Sequence, residues 1–356
     1  MSTRMMRAAR YHGPRDVRIE SGPVPAPGAS EVLVRVLRSG ICGTDASEYD
    51  HGPMMVPLRS RHPGSGHRGP IILGHEFAGL VVESGPGAEG LLGKRVATGA
   101  GVSCGECRWC RKGRTNLCAG YWTLGLSADG GMAQYAVVPA STCVLVPDDC
   151  GDDSAGLAQP LAVGLHAARR AGVEEGDTVV LVGAGAIGSF ALCGLTGHRP
   201  GRIIALDVDP ERLAMAGRLG ATETHDVGGL DPVPLVRELT GGAGADVVVE
   251  ATGADGSAQR AVRMAARGGR VLLVGLPHGP QPIELAEATL REVDVSTTVA
   301  HVCGEDMPEA LDLLTDGSLA ELVLERVIGL DDLVPEGLDA LLQRRLRGKV
   351  LVDPWA

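Results

Sequence analysis

The pattern of apolar and polar residues changes character about 155 residues into the chain. Before that point, short β-rich runs at residues 31–37, 79–83 and 132–138 are separated by turn signals rich in glycine and proline. Many short strands of this kind predict a compact all-β domain. Residues 50–70 interrupt it with several prolines and glycines, and we interpret them as a long surface loop. Loops of that length in compact domains are typically functional.

After residue 155, continuous apolar strands alternate with helical patterns. The strands are expected at residues 178–182, 202–206, 246–250 and 270–274, with helices over 209–219 and 256–266. Strands that are apolar throughout are typical of a parallel sheet covered on both faces, so this half predicts a doubly wound sheet. After Asp294 the pattern is mixed, and one more strand is expected at 349–352. The predicted fold class is α/β with a separate β domain.

Composition narrows the range of functions. The chain has 356 residues, enough for two domains, and a formal net charge of −11 with only 3% aromatic residues. Binding to nucleic acid is disfavoured, because both a basic excess and stacking side chains are lacking. The N-terminus has no apolar core of signal-peptide length, and no apolar run is long enough to span a bilayer. We therefore expect a cytoplasmic protein that binds neither nucleic acid nor membrane.

Nine cysteines in such a chain indicate metal sites or buried thiols before disulfides. Four of them have the spacing Cys104-x2-Cys107-x2-Cys110-x7-Cys118. Four thiolates this close fill a tetrahedral zinc shell and leave no open position, so we expect a structural zinc. Free thiols and an iron–sulfur cluster are the alternatives that spacing leaves open. The expected small apolar cysteines are Cys143, Cys150, Cys193 and Cys303.

A second candidate metal site combines Cys42 with the adjacent residues His75 and Glu76. One thiolate, one imidazole and one carboxylate form a donor set that suits zinc. With three protein donors, a fourth position stays open for a water molecule or a substrate oxygen. This donor set therefore predicts a catalytic metal site.

A glycine motif indicates a dinucleotide site. Residues 183–188, with the sequence Gly-Ala-Gly-Ala-Ile-Gly, follow the apolar run at 178–182 and open a helical pattern. The glycines let the backbone approach a pyrophosphate, and the helix N-terminus favours its charge. Asp207 lies nineteen residues after the last glycine and is expected to bind the adenosine ribose and repel a 2′-phosphate, which favours NAD over NADP. A tight turn in another α/β sheet is the alternative. The expected cofactor-binding residues are Gly183, Gly185, Ile187, Gly188, Asp207, Arg212, Thr252, Val274, Gly275 and Leu276.

Together these motifs resemble the zinc-dependent medium-chain alcohol dehydrogenases, in particular their polyol dehydrogenase branch. The similarity runs from about Arg7 to Pro354. The loop at residues 49–70 is similar to that of the 2,3-butanediol dehydrogenases. The segments that carry the family resemblance are 40–45, 74–76, the four-cysteine segment, 159–166, 183–188 and 348–352.

The resemblance implies a GroES-like β domain over residues 1–155, a Rossmann NAD-binding domain over 156–296, and a return of 297–356 to the first domain. It implies catalytic zinc ligation by Cys42, His75 and Glu76, and a homodimer or homotetramer. Asp45 is expected to fix the tautomer of His75.

The implied reaction is hydride transfer between a secondary alcohol and NAD, with zinc lowering the pKa of the alcohol. The expected substrate is a vicinal diol, a polyol, a cyclitol or a sugar. Thr44 matches the family hydroxyl that takes the first proton. The alternatives are a zinc-free quinone or enone reductase of the same architecture and a non-catalytic NAD-binding relative.

Ser47 departs from the family pattern, because a proton-relay histidine usually stands five residues after the ligand cysteine. A serine passes a proton but cannot store one near neutral pH as an imidazole can. The candidate replacements are His51, His62 and His67 in or beside the loop; the alternative is that each is an ordinary surface histidine.

Gln159 is the second departure, because the branch normally carries a glutamate here beside the zinc. With Gln159, the formal charges of zinc, Cys42 and Glu76 cancel, so we expect a stronger Lewis acid than with glutamate. Under this hypothesis Gln159→Glu changes the acidic limb of the pH profile. The alternative is that Gln159 is a harmless hydrogen-bonding substitute.

Overall fold

The computed structural model of the protein describes residues 4–277 and 279–356. Among the helices of this part of the chain, none combines the length and the apolar character that crossing a bilayer requires. The strands are β1 Met5–Gly13, β2 Asp16–Pro23, β3 Glu31–Gly40, β4 Ile71–Ile72, β5 Glu76–Ser84, β6 Arg95–Gly99, β7 Gly101–Val102, β8 Trp122–Thr123, β9 Tyr135–Pro139, β10 Cys143–Leu145, β11 Thr178–Val182, β12 Arg202–Asp207, β13 Glu223–Asp226, β14 Ala245–Glu250, β15 Ala265–Leu273, β16 Asp294–Thr297, β17 Leu324–Gly329 and β18 Lys349–Asp353. The helices are α1 Gly43–His51, α2 Asp152–Gly156, α3 Ala158–Ala171, α4 Ala186–Gly197, α5 Pro210–Arg218, α6 Pro232–Leu239, α7 Ser257–Met264, α8 Leu285–Thr289, α9 Cys303–Leu314, α10 Ser318–Val323 and α11 Asp339–Leu342.

The chain folds into two compact units. The described residues up to Ala162, together with His301–Ala356, form the first unit, and those of Val163–Ala300 form the second. The predicted boundaries at residues 155 and 296 lie several residues earlier. Because the first unit contains both ends of the chain, its sheet must be closed by strands distant in sequence.

The larger sheet of the first unit has the strand order β10-β6-β5-β3-β18-β17, and β9 also pairs with β3. β18 joins it antiparallel to β3, with Leu351 opposite Gly40. Alternating residues of β3 face different apolar clusters, since Val34 packs with Phe77 while Leu33 packs with Tyr135. The central strand β3 is therefore covered on both faces, and its end at Gly40 is fixed in place.

The predicted strand at residues 132–138 begins later, at Tyr135, which corrects the sequence interpretation. Met132 lies outside that ladder because its N–H donates to the Leu73 carbonyl and its carbonyl accepts from Ala9, both at 2.8 Å. The predicted helix over 256–266 is likewise shorter, because the chain enters β15 at Ala265.

The second unit confirms the predicted doubly wound sheet. Its strands are parallel, in the order β13-β12-β11-β14-β15-β16. The order reverses at β11, and the crevice beyond the carboxyl ends of such strands is where this topology binds ligands. Val180 of β11 and Val248 of β14 are fully buried, as expected for strands covered on both faces.

Candidate active site

The three donor side chains of the predicted catalytic metal site lie together in the first unit. Cys42 directly precedes α1, and Glu76 begins β5, opposite Gly40 of β3. Cys42 Sγ, a ring nitrogen of His75 and a carboxylate oxygen of Glu76 lie within 4.8 Å of one another. Zinc bonds of about 2.0–2.3 Å place the donors of one ion roughly 3–4.6 Å apart, so this group fits a zinc ion.

Gly74 makes the turn that delivers the imidazole and the carboxylate. Its φ of +96° lies in a region that favours glycine. A Cβ at this position would lie 2.8 Å from both the Met132 nitrogen and Ser39 Oγ. The turn therefore requires glycine for conformational and for steric reasons, which explains why Gly74 precedes His75 and Glu76.

Asp45 contacts two of the donor residues, Cys42 and His75. Its side chain is fully buried; Oδ2 accepts a hydrogen bond from the Cys42 N–H at 2.9 Å, and Oδ1 lies 3.4 Å from His75 Nδ1. The predicted Asp45–His75 contact is thus present as a 3.4 Å approach, and with Nδ1 facing Asp45 the Nε2 atom would be the metal donor. Burial lowers the pKa of His75, but the charges of Asp45 and Cys42 raise this pKa by more, so the net shift is upward.

Lys349 belongs to this site, and the sequence interpretation missed it. It begins β18, is 5% exposed, and donates to Glu76 Oε2 at 2.5 Å and to the Ile41 carbonyl at 2.8 Å. Burial lowers the pKa of Lys349, whereas Glu76 and Cys42 raise it by more, so the ammonium stays charged. The available signal in the sequence was a single lysine directly before the apolar residues 350–352 of the last strand.

Gly40→Ala is expected to displace Glu76, because a Cβ on Gly40 would lie 2.3 Å from Glu76 Oε2. Overpacking a buried site costs typically about 1–3 kcal/mol, so the Tm and the occupancy of the catalytic metal should both fall. Gly43→Ala is the matched control, because nothing lies within 4 Å of a Cβ there. Zinc analysis measures the metal occupancy and thermal melts measure the Tm. Equal effects of the two substitutions would contradict the predicted clash between a residue 40 Cβ and Glu76.

The residues predicted to move protons have fewer contacts with the metal donors than Asp45 and Lys349 have. Thr44 Oγ1 lies 3.8 Å from Cys42 Sγ, and Ser47 lies one turn further along α1, half buried. Gln159 is buried near the start of α3. Their roles stay predictions.

The candidate replacement histidines have other contacts. His51 Nδ1 lies 2.8 Å from Asp50, His62 Nδ1 accepts backbone N–H bonds within the loop, and His67 Nε2 lies near the Gly69 and Pro70 carbonyls. A relay role for any of them likewise stays a prediction.

The four predicted structural cysteines form a second donor group. Their sulfur atoms lie within 4.8 Å of one another. Cys104 and Cys118 are 3.5 Å apart, and Cys107 and Cys110 are 3.6 Å apart. A tetrahedron with zinc–sulfur bonds of about 2.3 Å has edges of about 3.8 Å, so the group fits zinc. Backbone N–H groups point at the sulfurs, and such donors lower the pKa of Cys107 to about 6.

The predicted dinucleotide residues gather at the carboxyl ends of β11, β14 and β15 in the second unit. A Cβ on Gly183 would lie 2.5 Å from Thr252 Cγ2, and one on Gly188 would lie 1.9 Å from the Gly183 carbonyl. A Cβ on Gly275 would lie 2.1 Å from the Gly253 nitrogen. These close approaches leave backbone surface free of side chains, as a pyrophosphate site requires. The remaining members are placed as follows: Ile187 is half buried on α4, Val274 donates its N–H to the Glu250 carbonyl at 2.8 Å, and Leu276 is 84% exposed.

Asp207 has a second function that its sequence position did not reveal. Oδ2 accepts from the Ala184 N–H at 2.7 Å, and Oδ1 accepts from the N–H groups of Val208 and Asp209 at 2.7 and 3.0 Å. The carboxylate therefore fixes the glycine loop, and its contact with the ribose stays a prediction. Arg212 lies about 4.0 Å from the Cβ position of Gly185, and its Nε is buried without a partner among the described atoms.

Comparison with protein families matches residues 28–148 to the alcohol dehydrogenase GroES-like domain and residues 186–316 to the zinc-binding dehydrogenase domain. Sorbitol dehydrogenase of Bacillus subtilis (strain 168) is 32% identical over 315 residues, which are 88% of this chain and 86% of that protein. (R,R)-Butanediol dehydrogenase of the same organism is 31% identical over 353 residues, 98% of this chain and 100% of that protein.

The solved structures agree. The crystal structure of 2R,3R-butanediol dehydrogenase from Bacillus subtilis matches with a TM-score of 0.90 at 31% identity, covering 98% of this chain and 99% of that one. An alcohol dehydrogenase from E. coli CFT073 in complex with NADH matches with a TM-score of 0.87 at 27% identity, covering 99% of this chain and 100% of that one. With both metal donor groups and the glycine loop in place, the chain belongs to the zinc-dependent medium-chain alcohol dehydrogenases, on their polyol dehydrogenase branch.

Proposed function

We propose that this protein oxidises a secondary alcohol, or reduces the corresponding ketone, by hydride transfer to or from NAD. The substrate class is a vicinal diol, a polyol, a cyclitol or a sugar. The observation that carries the proposal is the joint burial of His75 and Glu76 beside Cys42, with their donor atoms within 4.8 Å. The relatives named sorbitol and butanediol dehydrogenases support the substrate class.

Cys42, His75 and Glu76 would hold the zinc, which supplies Lewis acidity toward the alcohol oxygen. Asp45 keeps the His75 ring in one tautomer and orientation through its 3.4 Å contact with Nδ1. Thr44, two residues after Cys42, takes the alcohol proton on its hydroxyl oxygen and passes its own proton onward. The glycine loop and Asp207 would hold NAD, which would accept or supply the hydride.

Ser47 is the next proton carrier in this proposal. A hydroxyl conducts a proton without storing it, so proton release to solvent should follow deprotonation of the alcohol closely and without an imidazole-like pKa in the pH profile. Gln159 keeps the metal site free of a further negative charge. The zinc-free reductase fits less well, because such an enzyme has no use for the buried donor group.

NAD is the proposed dinucleotide. Asp207 is 7% exposed and already engages three backbone N–H groups, so it stays in place and repels a 2′-phosphate. We expect kcat/KM with NAD to exceed that with NADP by at least about tenfold, since a buried like charge costs more than about 1.4 kcal/mol. Parallel assays with the two dinucleotides measure the ratio.

We also propose that the protein forms a homodimer or a homotetramer. β16 pairs only with β15 among the described strands, so its outer edge is unpaired. Leu290 and Val295 near this edge are 79% and 39% exposed. An unpaired edge with exposed apolar residues suits a second copy of this chain. Sedimentation analysis tests this; a monomer at micromolar concentration would contradict it. A cytoplasmic location stays a prediction.

The test of the proposed function is a substrate panel of diols, polyols, cyclitols and sugars, assayed for NADH formation with zinc analysis of the same sample. We expect about two zinc ions per chain and turnover of at least one secondary alcohol, lost on chelation and restored by zinc. A protein with a single metal and no turnover would support the non-catalytic relative instead.

A further inference from the structure

The loop between α1 and β4 has a charge opposite to that of the whole protein. Residues 59–68 read Arg-Ser-Arg-His-Pro-Gly-Ser-Gly-His-Arg, and we call them the arginine loop. No aspartate or glutamate occurs between Asp50 and Glu76, although the chain carries a net charge of −11. A local positive patch on an acidic protein indicates an anionic partner.

The three arginines of this loop have no acidic partners among the described residues. Arg59, Arg61 and Arg68 are exposed, and none of them forms an ion pair or donates a hydrogen bond within residues 4–277 and 279–356. Several other exposed arginines of the first unit are paired, such as Arg15 with Asp50 and Arg18 with Asp16. Three unpaired guanidinium groups in ten residues repel one another, so a bound anion would stabilise the loop.

The arginine loop is nevertheless held in a defined conformation. His62 Nδ1 accepts from the N–H groups of Gly64 and Ser65 at 3.2 Å each, and the His62 N–H donates to the His67 carbonyl at 2.8 Å. Ser65 Oγ donates to the Ser127 carbonyl. Because the backbone is already ordered, ligand binding does not have to order it.

The loop is also linked to the metal donors by a short path of contacts. A Cβ on Gly64 would lie 3.1 Å from Trp122 Cδ1, so the loop contacts β8. β8 pairs with β7, which follows β6, and β6 places Gly99 opposite Glu76. This path of strand pairs limits the separation of the Trp122 and Glu76 Cα atoms to roughly 20 Å. Ser127, which accepts from Ser65 of the loop, lies two residues after Gly125, and a Cβ on Gly125 would lie 2.3 Å from the carbonyl oxygen of Gly74, the residue before His75. Contacts within the first unit thus join the arginine loop to the turn that carries two of the metal donors.

We infer that the substrate carries a phosphate or carboxylate group, which Arg59, Arg61 and Arg68 bind while its secondary alcohol lies at the Cys42, His75 and Glu76 site. Guanidinium groups bind either anion through paired N–H donors, and the two anions share this chemistry. The inference rests on the proposed function and narrows its substrate class to anionic polyols.

The test compares a neutral hexitol, the same hexitol phosphorylated at one end, and the aldonate that carries a carboxylate at that end. Compounds that are not oxidised are measured as competitive inhibitors of the best neutral substrate. The variants are the triple substitution Arg59→Gln, Arg61→Gln, Arg68→Gln and a control triple, Arg199→Gln, Arg218→Gln, Arg267→Gln, which removes the same charge from exposed positions of the second unit.

We expect KM or Ki for one of the two anionic compounds to be at least about tenfold below that of the neutral hexitol, and to rise with salt. The loop triple should raise that constant at least about tenfold with kcat unchanged, while the neutral compound and the control triple show no change. The anionic compound with the lower KM or Ki shows whether the substrate carries a phosphate or a carboxylate group. Equal constants for all three compounds, or no effect of the loop triple, would overturn the inference. Zinc-dependent turnover of neutral alcohols would then still stand, so the proposed function fails only if no alcohol is oxidised.

Discussion

Cys42→Ser is expected to lower kcat/KM for a secondary alcohol by about 10³-fold or more without unfolding the protein. Lewis-acid assistance supplies several kcal/mol of transition-state stabilisation, and each 1.4 kcal/mol is about tenfold in rate. The serine hydroxyl is a poor replacement for a thiolate donor, so zinc content should fall from about two to about one per chain. The hydrogen bond from the residue 42 N–H to Asp45 involves the backbone and is retained.

The control for this variant is Cys193→Ser. The Cys193 thiol donates to the Ser189 carbonyl of its own helix at 3.3 Å, and burial raises its pKa to about 12, so it is no metal thiolate. This variant should keep its zinc and its activity. A Cys42→Ser protein with wild-type kcat/KM, or an equal loss in both variants, would contradict the assignment of Cys42.

Lys349→Met is expected to destabilise the metal-free protein by about 3–5 kcal/mol. Removing one partner of a buried ion pair leaves the other charge uncompensated, and the Lys349–Glu76 pair is almost fully buried. In the zinc-loaded protein the metal compensates Glu76, so the loss should be smaller. The Tm difference between zinc-loaded and metal-free protein should therefore be larger in the variant than in the wild type.

The matched control is Lys94→Met, the same substitution at an exposed lysine of the first unit. Its effect should stay within about 0.5 kcal/mol, with no dependence on zinc. Thermal melts of both variants, with and without chelator, provide the comparison. Equal losses for Lys349→Met in the two metal states would show that Lys349 stabilises the fold without acting on the metal site.

The metal donors could be predicted from the chemistry of their side chains. The buried residue that pairs with one of them, Lys349, could not be predicted from its place in the sequence. Cys42, His75 and Glu76 are residue types with few other uses in that combination, so the amino-acid sequence alone indicates their roles. Lys349 could not be predicted, because its contact with the Ile41 carbonyl spans 308 residues and depends on β18 pairing with β3. No local pattern encodes that pairing.

Asp207 shows a related limit on what can be predicted from the sequence. Its distance from the glycine motif predicts a ribose contact, whereas its hydrogen bond to the Ala184 N–H depends on how the loop turns between β11 and α4. The charge argument for Gln159 is unchanged, because the two further charges at the site, those of Lys349 and Asp45, cancel. The Gln159→Glu substitution is therefore still expected to change the acidic limb of the pH profile.

The most direct measurement follows deuterium from the carbinol carbon of the best secondary-alcohol substrate into the reduced dinucleotide, by mass spectrometry, before and after metal removal. We predict deuterated NADH from the zinc-loaded protein, no transfer after chelation, and recovery when zinc is restored. Transfer at an equal rate by the metal-free protein, or reduced NAD without deuterium, would contradict zinc-dependent hydride transfer at the site of Cys42, His75 and Glu76.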